Sequence, residues 1–259
     1  MNRSGTLQRF AGVVSSLLLL SFSSFAPAGQ LANDPQFPYP ERLTYSVEWR
    51  MLAAGEAVVE LKRSNPQAWN ISLNLASAGL VSRLYRVADS YRASTSDRFC
   101  GANAFLDAQE GKKHLQTSLT FDNPRHKVDY DERDLVRNTT AKKQLDIAPC
   151  TYEITGAFTA MRLVSIEPGQ TVTLPITDGK KMAYAKVQAQ GKENITVSGK
   201  SYATVRYEAF LFDNVLYKRK GRLFIWLTDD AERLPVQFRM QMGFPIGTIT
   251  VELEKKERL

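Results

Sequence analysis

Alternating apolar and polar positions predict three consecutive antiparallel strands within residues 221–254. The middle run is the clearest, with Val236, Phe238, Met240 and Met242 alternating with Gln237, Arg239 and Gln241. Successive side chains of a strand point to opposite faces, so this strand has one apolar and one polar face. The run at residues 223–227 is apolar on both faces, which predicts a strand covered on both sides. The short, turn-rich connections predict hairpin pairing.

Similar runs recur along the chain and predict about a dozen strands. Two segments have helical spacing instead. Residues 79–89 predict a short helix or an irregular crossover, and a second helix is expected after Pro149, against the sheet. The predicted fold is therefore mainly β: a single curved antiparallel sheet or a half-closed or closed β-barrel with one or two short helices. The pattern leaves full closure open.

A sheet of this size usually encloses more space than its own side chains fill. Aromatic and aliphatic walls would suit an acyl chain or another apolar ligand, and residues 80–88 would then form a lid that presents arginines to an anionic head group. The candidate ligand-binding residues are Trp49, Leu80, Leu84, Arg83, Arg86, Tyr207 and Phe238. The alternative is that the aromatic residues only build the core.

The N-terminus has the pattern of a cleavable signal peptide. Arg3 and Arg9 precede an apolar stretch at residues 10–20, and Ala26-Pro27-Ala28 provides a small-residue cleavage site. We expect a signal peptide at 1–28, an extended lead-in at 29–40 and one β domain at 41–259, soluble in the periplasm after cleavage. The alternative is an uncleaved anchor, although the apolar stretch is short for a membrane span.

The two cysteines, Cys100 and Cys150, are expected to form a disulfide in an oxidising compartment; two buried free thiols are the alternative. His114 and His126 have no ligand spacing with them, so no metal or other cofactor is expected. No nucleophile or metalloprotease motif is present, and we expect no catalytic residues. Asp229 and Asp230 are interpreted as turn caps.

The net charge of +7 is modest for 259 residues and is spread along the chain. It could favour an anionic lipid or polysaccharide, although solubility alone explains it. No dense basic run with interleaved aromatic residues is present, so nucleic acid is not expected as a partner.

Several blocks resemble an exported bacterial family, domain of unknown function 3108. They are residues 53–57 (AAGEA), 89–94 (DSYRAS), 110–112 (EGK), 167–170 (EPGQ), 220–230 (KGRLFIWLTDD), 233–236 (RLPV) and 246–249 (IGTI). The resemblance covers about residues 41–253. It implies a periplasmic, mainly antiparallel β protein with no established activity, and it supplies no catalytic residues.

Two classes of function follow. The first is a non-catalytic binding protein that carries or senses a hydrophobic or amphipathic envelope ligand, such as a lipid, a lipoprotein acyl chain or a glycan. The second is a structural or assembly partner of another envelope protein, and a hydrolase is a distant third. The ligand, the protein partner and the oligomeric state are not specified by the sequence.

Overall fold

The computed structural model describes residues 37–259, which form one antiparallel sheet of 14 strands. The strands are β1 (Glu41–Trp49), β2 (Leu52–Asn65), β3 (Ala68–Ser77), β4 (Val87–Ser96), β5 (Gly101–Glu110), β6 (Lys113–Asp122), β7 (Lys127–Asp134), β8 (Thr139–Asp146), β9 (Thr171–Thr177), β10 (Met182–Val197), β11 (Lys200–Phe210), β12 (Gly221–Thr228), β13 (Pro235–Met242) and β14 (Thr248–Arg258). Two helices, α1 (Gly79–Leu84) and α2 (Ile154–Ala160), and one 3-10 turn (Met161–Leu163) complete the fold. The predicted signal peptide lies outside the described residues.

The strand order confirms the predicted fold class and shows that the sheet is not closed. Each strand pairs with its neighbours in sequence, and β1 also pairs with β14, so the first and last strands lie side by side in the middle of the sheet. The two edges are β8 and β9, which do not pair with each other. The sheet is therefore curved and open along one seam. No helix within residues 37–259 is long and apolar enough to cross a membrane.

The chain between the two edge strands carries α2. Glu153 begins the helix, and its carboxylate accepts hydrogen bonds from the backbone N–H groups of Thr155 and Gly156. The helix is tightly seated, because a Cβ at Gly156 would lie 2.7 Å from the carbonyl oxygen of Phe99. Four of its seven residues are buried, which confirms that this helix packs on the sheet.

A disulfide between Cys100 and Cys150 joins this segment to the β4–β5 turn, with the two Cα atoms 4.7 Å apart. The predicted pairing is therefore present. The backbone N–H of Gly101 also donates to the carbonyl of Thr151 at 3.0 Å. The helix segment is thus held to the sheet by both a covalent link and a backbone hydrogen bond.

Strand β12 is buried on both faces, as its composition predicts. Leu223, Ile225 and Leu227 belong to one hydrophobic cluster, whereas Phe224 and Trp226 belong to another. The second cluster also includes Val197, at the tip of the long β10–β11 hairpin. The hairpin therefore covers the face of β12 that would otherwise be in solvent.

Because successive hairpins of the sheet alternate between its two ends, the loops fall into two groups. The first group, called the rim, comprises residues 50–51, 78–86, 111–112, 135–138, 178–181, 211–220 and 243–247. The second group, called the base, comprises residues 66–67, 97–100, 123–126, 147–170, 198–199 and 229–234. The disulfide and α2 therefore lie at the base.

Candidate functional site

An apolar cavity of about 260 Å³ lies between α2 and the strands β1–β3 and β12–β14. Its apolar walls come from Leu43, Tyr45, Ala57, Val59, Leu61, Ile71, Leu73, Leu75, Phe158, Leu223, Pro235, Phe238, Met240 and Val251. Phe158 of α2 contacts Phe238 edge to face, with ring centroids 5.7 Å apart. The helix thus forms one wall of the cavity rather than filling the whole interior.

The cavity is closed towards the base and open towards the rim. Leu43, Tyr45 and Ile71 lie nearer the base and are at most 3% exposed. Further along the same strands, Val47 and Leu75 are only partly buried. Exposure that rises towards the rim along β1 and β3 indicates that solvent enters from the rim.

The closed end of the cavity is polar. Glu41 is 2% exposed and pairs with Arg162, which is 3% exposed. Arg162 also donates through Nε and Nη2 to the carbonyl oxygen of Glu232, at 3.2 and 3.1 Å, and its guanidinium lies over the Phe37 ring. Oε2 of Glu41 has no hydrogen-bond partner among residues 37–259. The cavity therefore ends in a buried ion pair with one unused acceptor.

A second buried carboxylate lies at the start of α2. Burial raises the pKa of Glu153, and hydrogen bonds from Tyr91 and from the first turn of the helix oppose that rise. The Tyr91 hydroxyl donates to Glu153 Oε2 at 2.6 Å. This contact connects α2 to β4 across the interior of the sheet.

Asp89 of β4 lies beside Leu75 in the β3–β4 pairing, near the open end. Desolvation, and then the charge of Glu110, raise the pKa of Asp89 to about 6. The folded chain therefore holds this proton at a pH at which the unfolded chain, with a pKa of about 3.9, has lost it. Stability should fall as the pH rises from about 4 to about 6, and the cost should persist above that range.

The variant Asp89→Asn should remove this cost while keeping an acceptor for the Gln109 N–H, which lies 2.9 Å from Oδ1. We expect it to be more stable than the parent by about 1 kcal/mol at pH 7, after allowance for solvent screening, and equally stable at pH 4. Urea unfolding at both pH values measures this difference. A gain of the same size at pH 4 would contradict the assignment.

The structure places six of the seven predicted ligand-binding residues in three positions. Phe238 lines the cavity. Trp49 ends β1 beside the rim and donates from Nε1 to the carbonyl of Ile246 at 2.6 Å. Residues 80, 83, 84 and 86 lie on α1 or just after it, exposed at the rim. Their role in ligand binding stays a prediction.

Tyr207 lies apart from these residues. Its side chain is 1% exposed, its hydroxyl accepts a hydrogen bond from Arg233 Nη2 at 2.8 Å, and it is not among the cavity-lining residues. Conversely, sequence reasoning missed Glu41 and Arg162, which line the closed end. An acidic residue at an apolar-face position of β1, in step with Leu43 and Tyr45, is the one signal that could have marked Glu41.

A larger groove, of about 780 Å³, lies along β5–β8 and has a different character. Its lining residues are mostly polar and carry charges of both signs, and some of these side chains bind each other. Lys142 pairs with Asp131 at 2.9 Å, and Gln144 donates to Asp129 at 2.8 Å. The apolar cavity is therefore the stronger candidate for a binding site. Within residues 37–259, no group of three or more His, Cys, Asp or Glu side chains could hold a metal ion.

The fold resembles that of a solved structure with a TM-score above 0.5. A β-barrel-like protein of the domain of unknown function DUF1849 from Brucella abortus has a TM-score of 0.53 at 11% identity, with 85% of this chain and 98% of that chain covered. A hypothetical protein from Chlamydia trachomatis has a TM-score of 0.38 at 5% identity, covering 85% of this chain and 88% of that chain. No curated protein matches the chain.

The family was established by comparison with family models. The model described as "Protein of unknown function (DUF3108)" matches residues 44–254, which span the sheet from β1 to β14 and include α2. This match confirms the resemblance found in the sequence motifs. The chain therefore belongs to the DUF3108 family of proteins of unknown function.

Proposed function

We propose that this protein is an exported, non-catalytic binding protein that holds the apolar part of an amphipathic envelope ligand in the cavity beside α2. The observation that carries the proposal is the apolar cavity, closed by the Glu41–Arg162 pair and open at the rim. Ligand sites are typically concave and mostly apolar, with a few fixed polar groups. This cavity has that composition.

The size of the cavity favours a chain that enters by one end. A water molecule takes about 30 Å³ in the liquid, and a methylene group is similar in size, so 260 Å³ holds about nine such groups. A longer acyl chain would extend beyond the opening. Its head group would then lie at the rim, near Arg50, Arg83 and Arg86.

Filling the cavity tests the proposal. The variant Leu73→Trp enlarges a wall residue, and Ser72→Trp places the same side chain on the opposite face of β3 as a matched control. Loss of space for about two methylene groups costs about 1.6 kcal/mol, so we expect a dansyl-tagged fatty acid to bind at least about tenfold more weakly to Leu73→Trp. Fluorescence titration measures the affinity, and circular dichroism checks the fold of both variants.

Equal affinity of the parent and Leu73→Trp would contradict the proposal, as would failure of the parent to bind the probe. Native mass spectrometry of protein purified from its own host gives a second test. A co-purifying lipid supports the proposal. A stoichiometric protein partner with no lipid would favour the assembly function instead.

A further inference from the structure

Exposed apolar side chains are concentrated at the rim. Among residues 37–259, seven of the twelve exposed large hydrophobic residues lie in its loops, whereas the base loops contain only Leu163. The seven are Met51, Leu80, Leu84, Tyr85, Leu135, Val136 and Phe244. Phe244 is 94% exposed and Met51 is 91% exposed. Side chains so fully in water at loop tips contribute nothing to the core.

The backbone of the turn that contains Met51 adopts a conformation that its two residues rarely take. Arg50 and Met51 both have positive φ angles, 50° and 66°. A two-residue hairpin turn of this type usually contains Asn and Gly, because other residues rarely adopt the left-handed region. The turn itself therefore gains nothing from a long apolar side chain at this position.

The same loops concentrate positive charge. Ten of their residues are Lys or Arg, and two are Asp. The ten are Arg50, Arg83, Arg86, Lys112, Arg137, Lys180, Lys181, Lys218, Arg219 and Lys220. The base loops have four basic and six acidic residues instead. The loops at the rim end of the sheet are therefore strongly basic, whereas the loops at the base end carry a small excess of acidic residues.

Most of this charge has no local counter-charge. Within residues 37–259, only two of the ten basic side chains pair with a carboxylate: Lys180 with Glu132 at 2.9 Å and Arg137 with Asp134 at 3.8 Å. Of the other eight, Arg50 and Lys181 donate to backbone carbonyls, and the remaining six are exposed and available for an external anion. Unpaired, exposed Lys and Arg side chains give a long-range attraction that salt screens.

Hydrogen bonds link three pairs of neighbouring rim loops. The Arg50 side chain donates to the carbonyls of Ile246 and Pro245 in the β13–β14 loop. The N–H of Gly111 donates to the carbonyl of Arg86, and Lys181 Nζ donates to the carbonyl of Asn214. Since all rim loops also lie at the same end of one sheet, the apolar and basic side chains share that end.

We propose that the rim docks on an anionic phospholipid surface, with Phe244, Met51 and Leu84 inserted among the lipids and the basic side chains at the head groups. Apolar tips interspersed with Lys and Arg are the pattern of an interfacial membrane site. The core of a protein–protein interface is instead depleted of charge. In this orientation the cavity faces the lipid. The inference goes beyond ligand binding, because docking needs no ligand in the cavity.

Vesicle flotation tests the inference with residues 29–259, since the sheet lies wholly within residues 37–259 and the apolar segment before Gly29 would itself bind lipid. We expect binding to vesicles of phosphatidylglycerol and phosphatidylcholine, weakening as salt shortens the Debye length to about 8 Å at 0.15 M. Pure phosphatidylcholine vesicles should bind weakly. Each basic residue contributes about a factor of ten or less, so the triple variant R83Q/K218Q/R219Q should lower the partition coefficient by about 100-fold.

Tryptophan probes at the rim and at the base distinguish docking through the rim from nonspecific adsorption to the vesicles. The parent already contains Trp49 beside the rim, so both variants are compared with the parent. F244W should add an emission that shifts to the blue and is quenched by brominated lipid, whereas L163W, at the base, should add an emission that does not respond. Absence of vesicle binding by the parent overturns the inference, and so does a triple variant that binds like the parent. A concentration-dependent dimer that the rim variants abolish, measured by analytical ultracentrifugation without lipid, would identify the rim as a protein interface and also overturn it. Binding of the dansyl-tagged fatty acid by Leu73→Trp is measured in a separate experiment. The proposal of a ligand in the cavity and the proposal of docking on lipid can therefore fail independently.

Discussion

Replacing Arg162 with methionine is expected to destabilise the fold by about 3–5 kcal/mol, because the Glu41 carboxylate would remain buried without its counter-charge. Both side chains are at most 3% exposed, and the contact spans 121 residues of sequence. Arg162 also donates to the carbonyl of Glu232, so its loss removes hydrogen bonds to the base as well. Equilibrium unfolding in urea measures the change.

The matched control is an ion pair between β1 and β2 whose arginine is exposed. Arg42 pairs with Glu60 at 2.5 Å, but its side chain is 40% exposed, so Arg42→Met should cost less than about 1 kcal/mol. The double variant Glu41→Leu/Arg162→Met removes both buried charges and should recover much of the stability lost by Arg162→Met alone. A single variant that loses less than about 1 kcal/mol, or a double variant worse than the single, would contradict a buried ion pair.

The double variant also bears on binding. If the cavity holds an acyl chain, removing the polar end should leave the affinity for a fatty-acid probe unchanged or increase it, since the closed end becomes apolar. A large loss of affinity with the fold intact would indicate that the ligand contacts Glu41 directly. Oε2 of Glu41 has no hydrogen-bond partner among residues 37–259, so it is the atom to which a ligand would donate, and the double variant removes it.

The strands that the sequence predicts well are those with one buried face. In β13, Phe238 and Met240 face the cavity while Arg239 and Gln241 line a groove on the other face. In β12 the lack of alternation reflects two covered faces. In both cases side-chain burial follows directly from strand geometry, so the local pattern suffices.

Strand β8 was not predicted, and its pattern explains why. Residues 131–143 look like a charged surface segment, yet β7 continues through Asp134 and β8 runs from Thr139 to Asp146. Nearly every residue of β8 is exposed, and only Leu145 is partly buried. Because both faces of this edge strand are exposed to solvent, its sequence does not alternate between apolar and polar residues. Its lysines are of the type that protects the edge of a sheet from aggregation.

The candidate site was predicted only in part, because it depends on which strands meet around the curve. Phe238 could be placed on an apolar face from alternation alone. That Arg162 would reach Glu41, or that Tyr207 would lie with Arg233 outside the cavity lining, depends on sheet curvature and on the seating of α2. Neither the curvature of the sheet nor the position of α2 follows from the local alternation of apolar and polar residues.

Removal of the disulfide, by the double variant Cys100→Ser/Cys150→Ser, is expected to destabilise the protein by about 4 kcal/mol. The bond closes a loop of 50 residues that contains β5–β8, and its removal returns that freedom to the unfolded chain. Urea unfolding of the parent with and without reductant, beside the serine variant, measures the effect. Reductant should lower the stability of the parent towards that of the variant and leave the variant unchanged.

We expect the serine variant to keep its fold, because the junction is also held by buried neighbours. Phe99 and Thr151 are both 0% exposed, and the Gly101–Thr151 hydrogen bond does not depend on the sulfur atoms. The far-ultraviolet circular dichroism spectrum should therefore be unchanged below the unfolding transition. Since α2 forms one wall of the cavity and lies just after Cys150, the probe affinity reports whether the helix stays seated. Parent-like stability of the serine variant would mean that these contacts alone hold the base segment, and that the disulfide adds nothing to the folding free energy.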